Sequence, residues 1–181
     1  LWQAKYRQNA DFVWLAKGVT ALELEYQFWM RDSDKLSSEH LVSKRVVRMP
    51  NGAYLNRYWD SAATPRPESL KEDLHDAKTL GSNQQRNYFQ HIRAACESGW
   101  DFSSRWLKHG DDLTSIETSN ILPVDLNSLL YNLEKTLAHY HDLLGQHQQS
   151  EYYIDFAARR LNAINEYCWN ESAGVYRDFN I

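Results

Sequence analysis

The stretch from Asp125 to Trp169 constrains the fold more than any other part of the chain. Leu126, Leu129, Leu130, Leu133, Leu137, Tyr140 and Leu144 recur on the period of one helix face. Asp125 stands where an N-cap carboxylate accepts the first free backbone N–H groups, and Gly145 stands where the helix stops. A second helix follows from about Gln148 to Trp169, with Tyr153, Phe156, Ala157, Leu161, Ile164 and Cys168 on one face. Two long amphipathic helices with so short a connection bury their stripes against each other as an antiparallel pair. No self-similar period of the solenoid type runs through the sequence, which argues against an adaptor built from tetratricopeptide repeats.

Upstream, Phe12, Leu15, Val19, Leu22, Tyr26 and Trp29 predict a helix from about Ala4 to Met30, broken by Asp32-Ser33-Asp34. Polar residues up to Ser43 read as a loop. Arg45 to Met49 and Ala53 to Tyr58 then flank Asn51-Gly52, a two-residue hairpin signal, and this hairpin would bring Trp59 and Asp60 to a pocket rim. Pro67 at a helix start, with Glu68, Glu72 and Asp73 complementing the dipole, predicts a short helix to about Thr79. A further helix spans about Gln84 to Cys96 and stops at Ser98-Gly99, while Asp111 to Pro123 reads as irregular. The fold class is mainly α with a small β-hairpin, and no linker suggests two domains.

The 181 residues carry 24 acidic and 20 basic side chains, a net charge of −4. No basic run with interleaved aromatics is present, so a polyanion has no row of Lys and Arg to displace its counterions, and nucleic acid is not an expected partner. No apolar stretch approaches the roughly 18 residues that a membrane helix needs. Cys96 and Cys168 have no neighbouring cysteine at metal-ligand spacing and read as free thiols. His139 and His141 point to different sides of a helix and cannot chelate one ion, so core or solvated roles suit them better. The sequon Asn170-Glu171-Ser172 needs no explanation beyond chance.

Chemistry concentrates in Trp100-Asp101-Phe102-Ser103-Ser104-Arg105-Trp106, one carboxylate among rings just past a helix stop. Ring faces stack on the apolar faces of pyranoses, and a carboxyl held against indole loses hydration, which raises its pKa toward that of a general acid. The plainer reading is a helix cap with a hydrophobic plug. A second cluster weighs against it: Leu55-Asn56-Arg57-Tyr58-Trp59-Asp60, followed by Thr64-Pro65-Arg66-Pro67-Glu68-Ser69. If the two prolines hold the backbone extended, Arg66 and Glu68 point the same way and converge on sugar hydroxyls. Asp60 also follows Trp, so residue chemistry alone leaves either aspartate as the acid. Arg105 is a complication, because a cation beside Asp101 favours the carboxylate.

Tyr58-Trp59-Asp60, Pro65-Arg66-Pro67-Glu68-Ser69, Ser98 to Trp106 and Pro123-Val124-Asp125-Leu126-Asn127-Ser128 together resemble the central portion of α,α-trehalases, glycoside hydrolase family 37. The resemblance implies part of an (α/α)6 barrel. It also implies an inverting hydrolase that splits trehalose into two glucose molecules without metal or organic cofactor. By motif, Asp101 would be the general acid, Arg66 and Glu68 would bind sugar hydroxyls, and Ser98 and Gly99 would shape the same loop. Asn56, Arg57 and Trp106 read as supporting or packing residues, and Asp125 and Asn127 as capping residues.

An inverting enzyme needs a second carboxylate roughly 6.5–9.5 Å from the acid. The family's Gln-Trp-Asp signature and the Gly-rich segment with the basic Glu do not occur in residues 1–181, nor does the upstream Pro-Gly-Gly-Arg-Phe signature. The expectation is therefore the central portion of one catalytic domain, with trehalose and the remaining barrel segments as its partners and no turnover by this piece alone. The alternative is a non-catalytic helical module or degenerate paralogue that keeps the sugar-binding loops. The family spans several compartments, of which a periplasmic one is favoured here over a cytoplasmic one.

Overall fold

A computed structural model of the chain describes residues 11–181, which are mainly helical. The part of the expected first helix from Ala4 to Ala10 lies outside the described residues. The described residues form two compact units, one made of residues 11–56 with Val124–Arg177, the other of Arg57–Pro123 with Asp178–Ile181.

In the first unit, helix α1 (Phe12–Trp29) is capped by Asp11, whose carboxylate accepts the Trp14 N–H at 2.8 Å. Its Leu15, Val19 and Tyr26 are buried as the stripe requires, whereas Phe12 is exposed. Helices α4 (Val124–Leu143) and α5 (His147–Ala163) form the antiparallel pair. Between them Gly145 takes a left-handed φ of 72°, and Gly145 N–H and Gln146 N–H return to the carbonyls of Asp142 and His141. That pattern closes a helix on glycine because any side chain there would be strained. Tyr153 meets Tyr26 edge-on at 5.3 Å and stacks on His141 at 5.4 Å, joining all three helices in the core.

Two of the expected core leucines, Leu129 and Leu161, are exposed. The buried seam of α5 runs through Tyr153, Ala157 and Arg160, so the inward position next to Leu161 belongs to a charged residue that a hydrophobic pattern passes over. Leu129 lies about 100° around the helix from buried Leu130. Capping was also misassigned in part: α4 already begins at Val124, and Asn127 is fully buried with its amide paired to the Asn56 main chain.

The expected hairpin exists, with β2 (Val46–Arg48) antiparallel to β3 (Tyr54–Asn56) and Val47 opposite Leu55. Its turn is not the two-residue type. Gly52 N–H bonds to Met49 O, Met49 N–H bonds to Ala53 O, and Gly52 holds a φ of 82°, giving a three-residue loop over Pro50-Asn51-Gly52. Proline suits the first corner of such a turn and glycine its left-handed close. A third strand, β1 (Val42–Ser43), pairs with β2 where a loop was expected. Its connection turns at Lys44 with a φ of 46°, a conformation that a Lys-Arg dipeptide does not advertise. Beyond α5 a π-helical turn, Ile164–Cys168, leads to the hairpin of β5 (Trp169–Asn170) and β6 (Val175–Tyr176). The sequon asparagine, Asn170, spends its side-chain oxygen on Ser172 and the Ala173 N–H inside that turn.

In the second unit, 3-10 turns at Pro67–Ser69 and Ala77–Thr79 bracket α2 (Leu70–Asp76), and α3 (Ser82–Ser98) follows. The segment expected to be irregular holds 3-10 turns at Leu113–Ser115 and Thr118–Asn120 and then β4 (Ile121–Leu122). β4 pairs antiparallel with β7 (Phe179–Asn180), a partner almost sixty residues on that no local pattern announces. Among the described residues no helix is long and apolar enough to cross a membrane, and no cluster of His, Cys, Asp or Glu could hold a metal ion.

Candidate functional site

Helix α3 ends as its sequence dictates. Gly99 adopts a left-handed φ of 70°, and the Ser98 hydroxyl accepts the Trp100 N–H at 3.0 Å while donating back to Ala95 O. A tight turn follows at once, closed by Ser103 N–H to Trp100 O at 3.1 Å, with Asp101 at its first corner and a φ of 38°. Aspartate tolerates this region better than most residues, yet a non-glycine there stores on the order of 1 kcal/mol, and such strain gathers at functional sites. The chain thus holds one carboxylate at the tip of a strained turn.

The expectation that neighbouring rings shield this carboxylate is not met. Asp101 is exposed, Trp100 is 56% exposed and Phe102 38% exposed, and only Trp106 is buried. Trp106, on the following 3-10 turn, packs edge-on against Tyr58 at 6.1 Å between ring centres.

Arg66 lies beside the acid turn, its guanidinium 4.8 Å from the ring centre of Phe102. The alternation expected to align it with Glu68 is absent. The extended backbone ends at Arg66, and Glu68 belongs to the 3-10 turn and is exposed, so alternation no longer aligns the two. Its partner is the buried Asp73 of α2, whose Oδ2 accepts the Arg66 backbone N–H at 2.8 Å and Nε at 3.1 Å, and whose Oδ1 accepts Nη2 at 2.6 Å. This fork raises the guanidinium pKa above its ordinary value and fixes its plane. Nη1 reaches Cys96 Sγ at 3.5 Å, so α2 and α3 both hold the side chain. Sequence reasoning had assigned Asp73 only to a helix dipole.

Arg105 turns toward Asp178, just ahead of β7, with Nε to Oδ2 at 2.9 Å and Nη2 to Oδ1 at 2.7 Å. Its guanidinium also lies 4.6 Å from the ring centre of Trp106 and 5.3 Å from that of Trp100. Asp178 is 73 residues away along the chain, so nothing local could have named it.

The Tyr58-Trp59-Asp60 segment supports this region from within. Trp59 N–H donates to Glu97 Oε2 at 3.0 Å, and Asp60 faces Arg93 of α3 at 3.3 Å and accepts the Ala62 N–H at 2.7 Å. Those contacts tie the Asp60 side chain to α3 and to its own loop. Arg57 donates to Ser119 O, and His91 Nδ1 accepts the Ser119 N–H at 3.1 Å, so both fasten the turn before β4. Burial, helped by the Arg57 cation, depresses the His91 pKa from 6.5 to about 4. Between those values the unfolded chain binds a proton that the folded chain refuses, so this contribution is whole above pH 6.5 and disappears as pH falls toward 4. It amounts to on the order of 3 kcal/mol. His91→Gln should therefore flatten the decline in urea midpoint between pH 7 and pH 4.5; an equally steep decline would show that His91 is not its source.

The acid turn thus lies among aromatic rings and beside two forked Arg–Asp pairs on a mainly helical scaffold. The family model described as Trehalase matches residues 3–181. A periplasmic trehalase of Salmonella paratyphi B (strain ATCC BAA-1250 / SPB7) is 41% identical over 167 residues, covering 92% of this chain and 29% of that protein. A putative periplasmic trehalase of Salmonella typhi is 42% identical and the periplasmic trehalase of Citrobacter koseri 40% identical, with the same coverage. The chain spans 29% of the length of these relatives. This chain belongs to the trehalase family.

Proposed function

We propose that this chain is the acid-bearing central portion of the catalytic domain of an inverting, periplasmic α,α-trehalase, one wall of an (α/α)6 barrel. The observation that carries the reading is Asp101 at a strained φ of 38°, one residue before the ring over which Arg66 is held. Asp101 protonates the oxygen joining the two glucose units as the bond to one anomeric carbon breaks. A water molecule attacks that carbon from the opposite face, its proton taken by a carboxylate supplied by the complete protein. Asp73 occupies one edge of the Arg66 fork, and the remaining N–H groups serve sugar hydroxyls, with Glu68, Ser98 and Gly99 shaping the same wall. Chain outside these residues closes over Asp101 and supplies the desolvation that a general acid needs. The chemistry requires no cofactor.

Attack inverts only the carbon at which the bond breaks. The complete enzyme should release one β-glucose and one α-glucose per trehalose, seen by proton NMR before mutarotation, whereas two α-glucose molecules would mean retention and would defeat the two-carboxylate scheme. Residues 1–181 alone should leave trehalose intact. The exposure of Asp101 and Trp100 favours a second reading, a sugar-binding relative without turnover. Hydrolysis by the complete protein eliminates it.

A further inference from the structure

Arginine has a long, flexible stem, yet Arg66 is held at both ends by a single carboxylate. Asp73 Oδ2 accepts the Arg66 backbone N–H at 2.8 Å and its Nε at 3.1 Å, and Oδ1 accepts Nη2 at 2.6 Å. Main chain and guanidinium are thereby fixed to one point on α2, and because Asp73 is buried, water does not compete for the fork. A guanidinium carries five N–H groups. Asp73 takes two of them and Cys96 Sγ, 3.5 Å from Nη1, takes one, which leaves one on Nη1 and one on Nη2 without a partner among the described residues. The Arg66 side chain is only 13% exposed, and N–H groups packed so closely seldom stay unpaired. They lie beside the acid turn, since the guanidinium sits 4.8 Å from the ring centre of Phe102, the residue after Asp101.

We infer that Asp73 is a positioning residue for trehalose binding: it locks the Arg66 guanidinium by its Nε–Nη2 edge, so that the N–H groups left on Nη1 and Nη2 meet sugar hydroxyls beside Asp101. The inference rests on the reading of Arg66 as part of the trehalose-binding wall. Asp73 touches no substrate and acts through Arg66 alone. An arginine free in solvent gives up its rotamer freedom at each binding event, and fixing it beforehand removes that cost. Lysine cannot divide its labour in this way, because an ammonium has no planar fork whose second edge stays aimed when the first is bound.

Asp73→Asn in the complete enzyme exchanges one acceptor oxygen for an NH2 group that confronts guanidinium N–H groups, and the fork breaks. A contact to a sugar hydroxyl is made in the bound substrate as well as in the transition state, so its loss should raise KM for trehalose by about 10–100-fold and change kcat less. Loss of folded protein lowers apparent kcat and leaves KM unmoved, which separates positioning from a merely structural role. In Arg66→Ala/Asp73→Asn the second substitution should add nothing to the KM of Arg66→Ala, since the group through which Asp73 acts is gone. Arg66→Lys, which keeps a cation for the buried carboxylate, should raise KM about as far as Arg66→Ala. If Asp73→Asn fails to fold, Asp73→Glu, which keeps the charge and shifts the fork by one methylene, takes its place with the same expected rise. A wild-type KM in the folded Asp73 variant, or a further multiplied rise in the double variant, would overturn the inference and leave the trehalase reading intact. Wild-type KM and kcat in Arg66→Ala would instead remove the reading on which it rests.

Discussion

Asp101→Asn in the complete enzyme should lower kcat by about 10²–10⁴-fold, the range that general acid catalysis supplies, while KM for trehalose changes little. The amide occupies the same volume and accepts left-handed backbone as readily as the carboxyl does, so the strained corner at φ 38° survives the exchange. What disappears is the transferable proton. The leaving group is a sugar hydroxyl with a pKa far above neutrality, and without protonation it must depart as an alkoxide. Loss should therefore be smaller for an α-glucosyl substrate whose leaving group is already acidic, such as a fluoride, because fluoride departs without a proton. Steady-state kinetics on both substrates check this. Equal losses on the two would move Asp101 from proton donor to substrate binder, and unchanged turnover of trehalose would remove it from the site.

The parts of the fold written in local pattern were legible. Amphipathic spacing gave α1, α4 and α5, and the glycines at 99 and 145 marked helix ends where the structure has left-handed backbone. What escaped depended on partners far along the chain or on residues that break the hydrophobic code. β4 needs β7, and β1 turns at a lysine with positive φ. Arg160 takes a seam position that periodicity assigns to an apolar residue, pushing Leu161 outward. The same division holds at the site. Ser98-Gly99 and Asp101 were readable as a helix stop followed by an acid, and Arg66 does lie beside them. Its counter-ion was not readable, because a 3-10 turn between Arg66 and Asp73 breaks the extended alternation that had pointed to Glu68. Burial of the acid was misread because ring-rich sequence says that rings are near, not which way a left-handed corner projects a side chain.

Arg160→Met in the 181-residue chain should cost about 3–5 kcal/mol, a large part of the stability of an ordinary domain. Arg160 and Glu134 are both sealed from solvent, at 2% and 0% exposure. Nε lies 3.0 and 3.1 Å from the two Glu134 oxygens, Nη2 lies 2.9 Å from Oε1, and Nη1 donates to the side-chain oxygens of Asn56 at 2.9 Å and Asn127 at 3.0 Å. Tyr26 adds its hydroxyl to Glu134 at 3.1 Å. Methionine fills the volume but leaves a carboxylate in the core with one phenol for company, and two amide oxygens lose a donor. The cost comes from that stranded charge more than from the lost pair, since a buried ion pair gains little over apolar packing of the same shape. Arg160→Met combined with Glu134→Leu should accordingly recover much of the loss, an interaction far outside additivity. Urea denaturation of the two single variants and the double variant measures it. Additive losses would mean that the two charges are not coupled in the folded chain, and that solvent reaches Glu134 when its partner is removed.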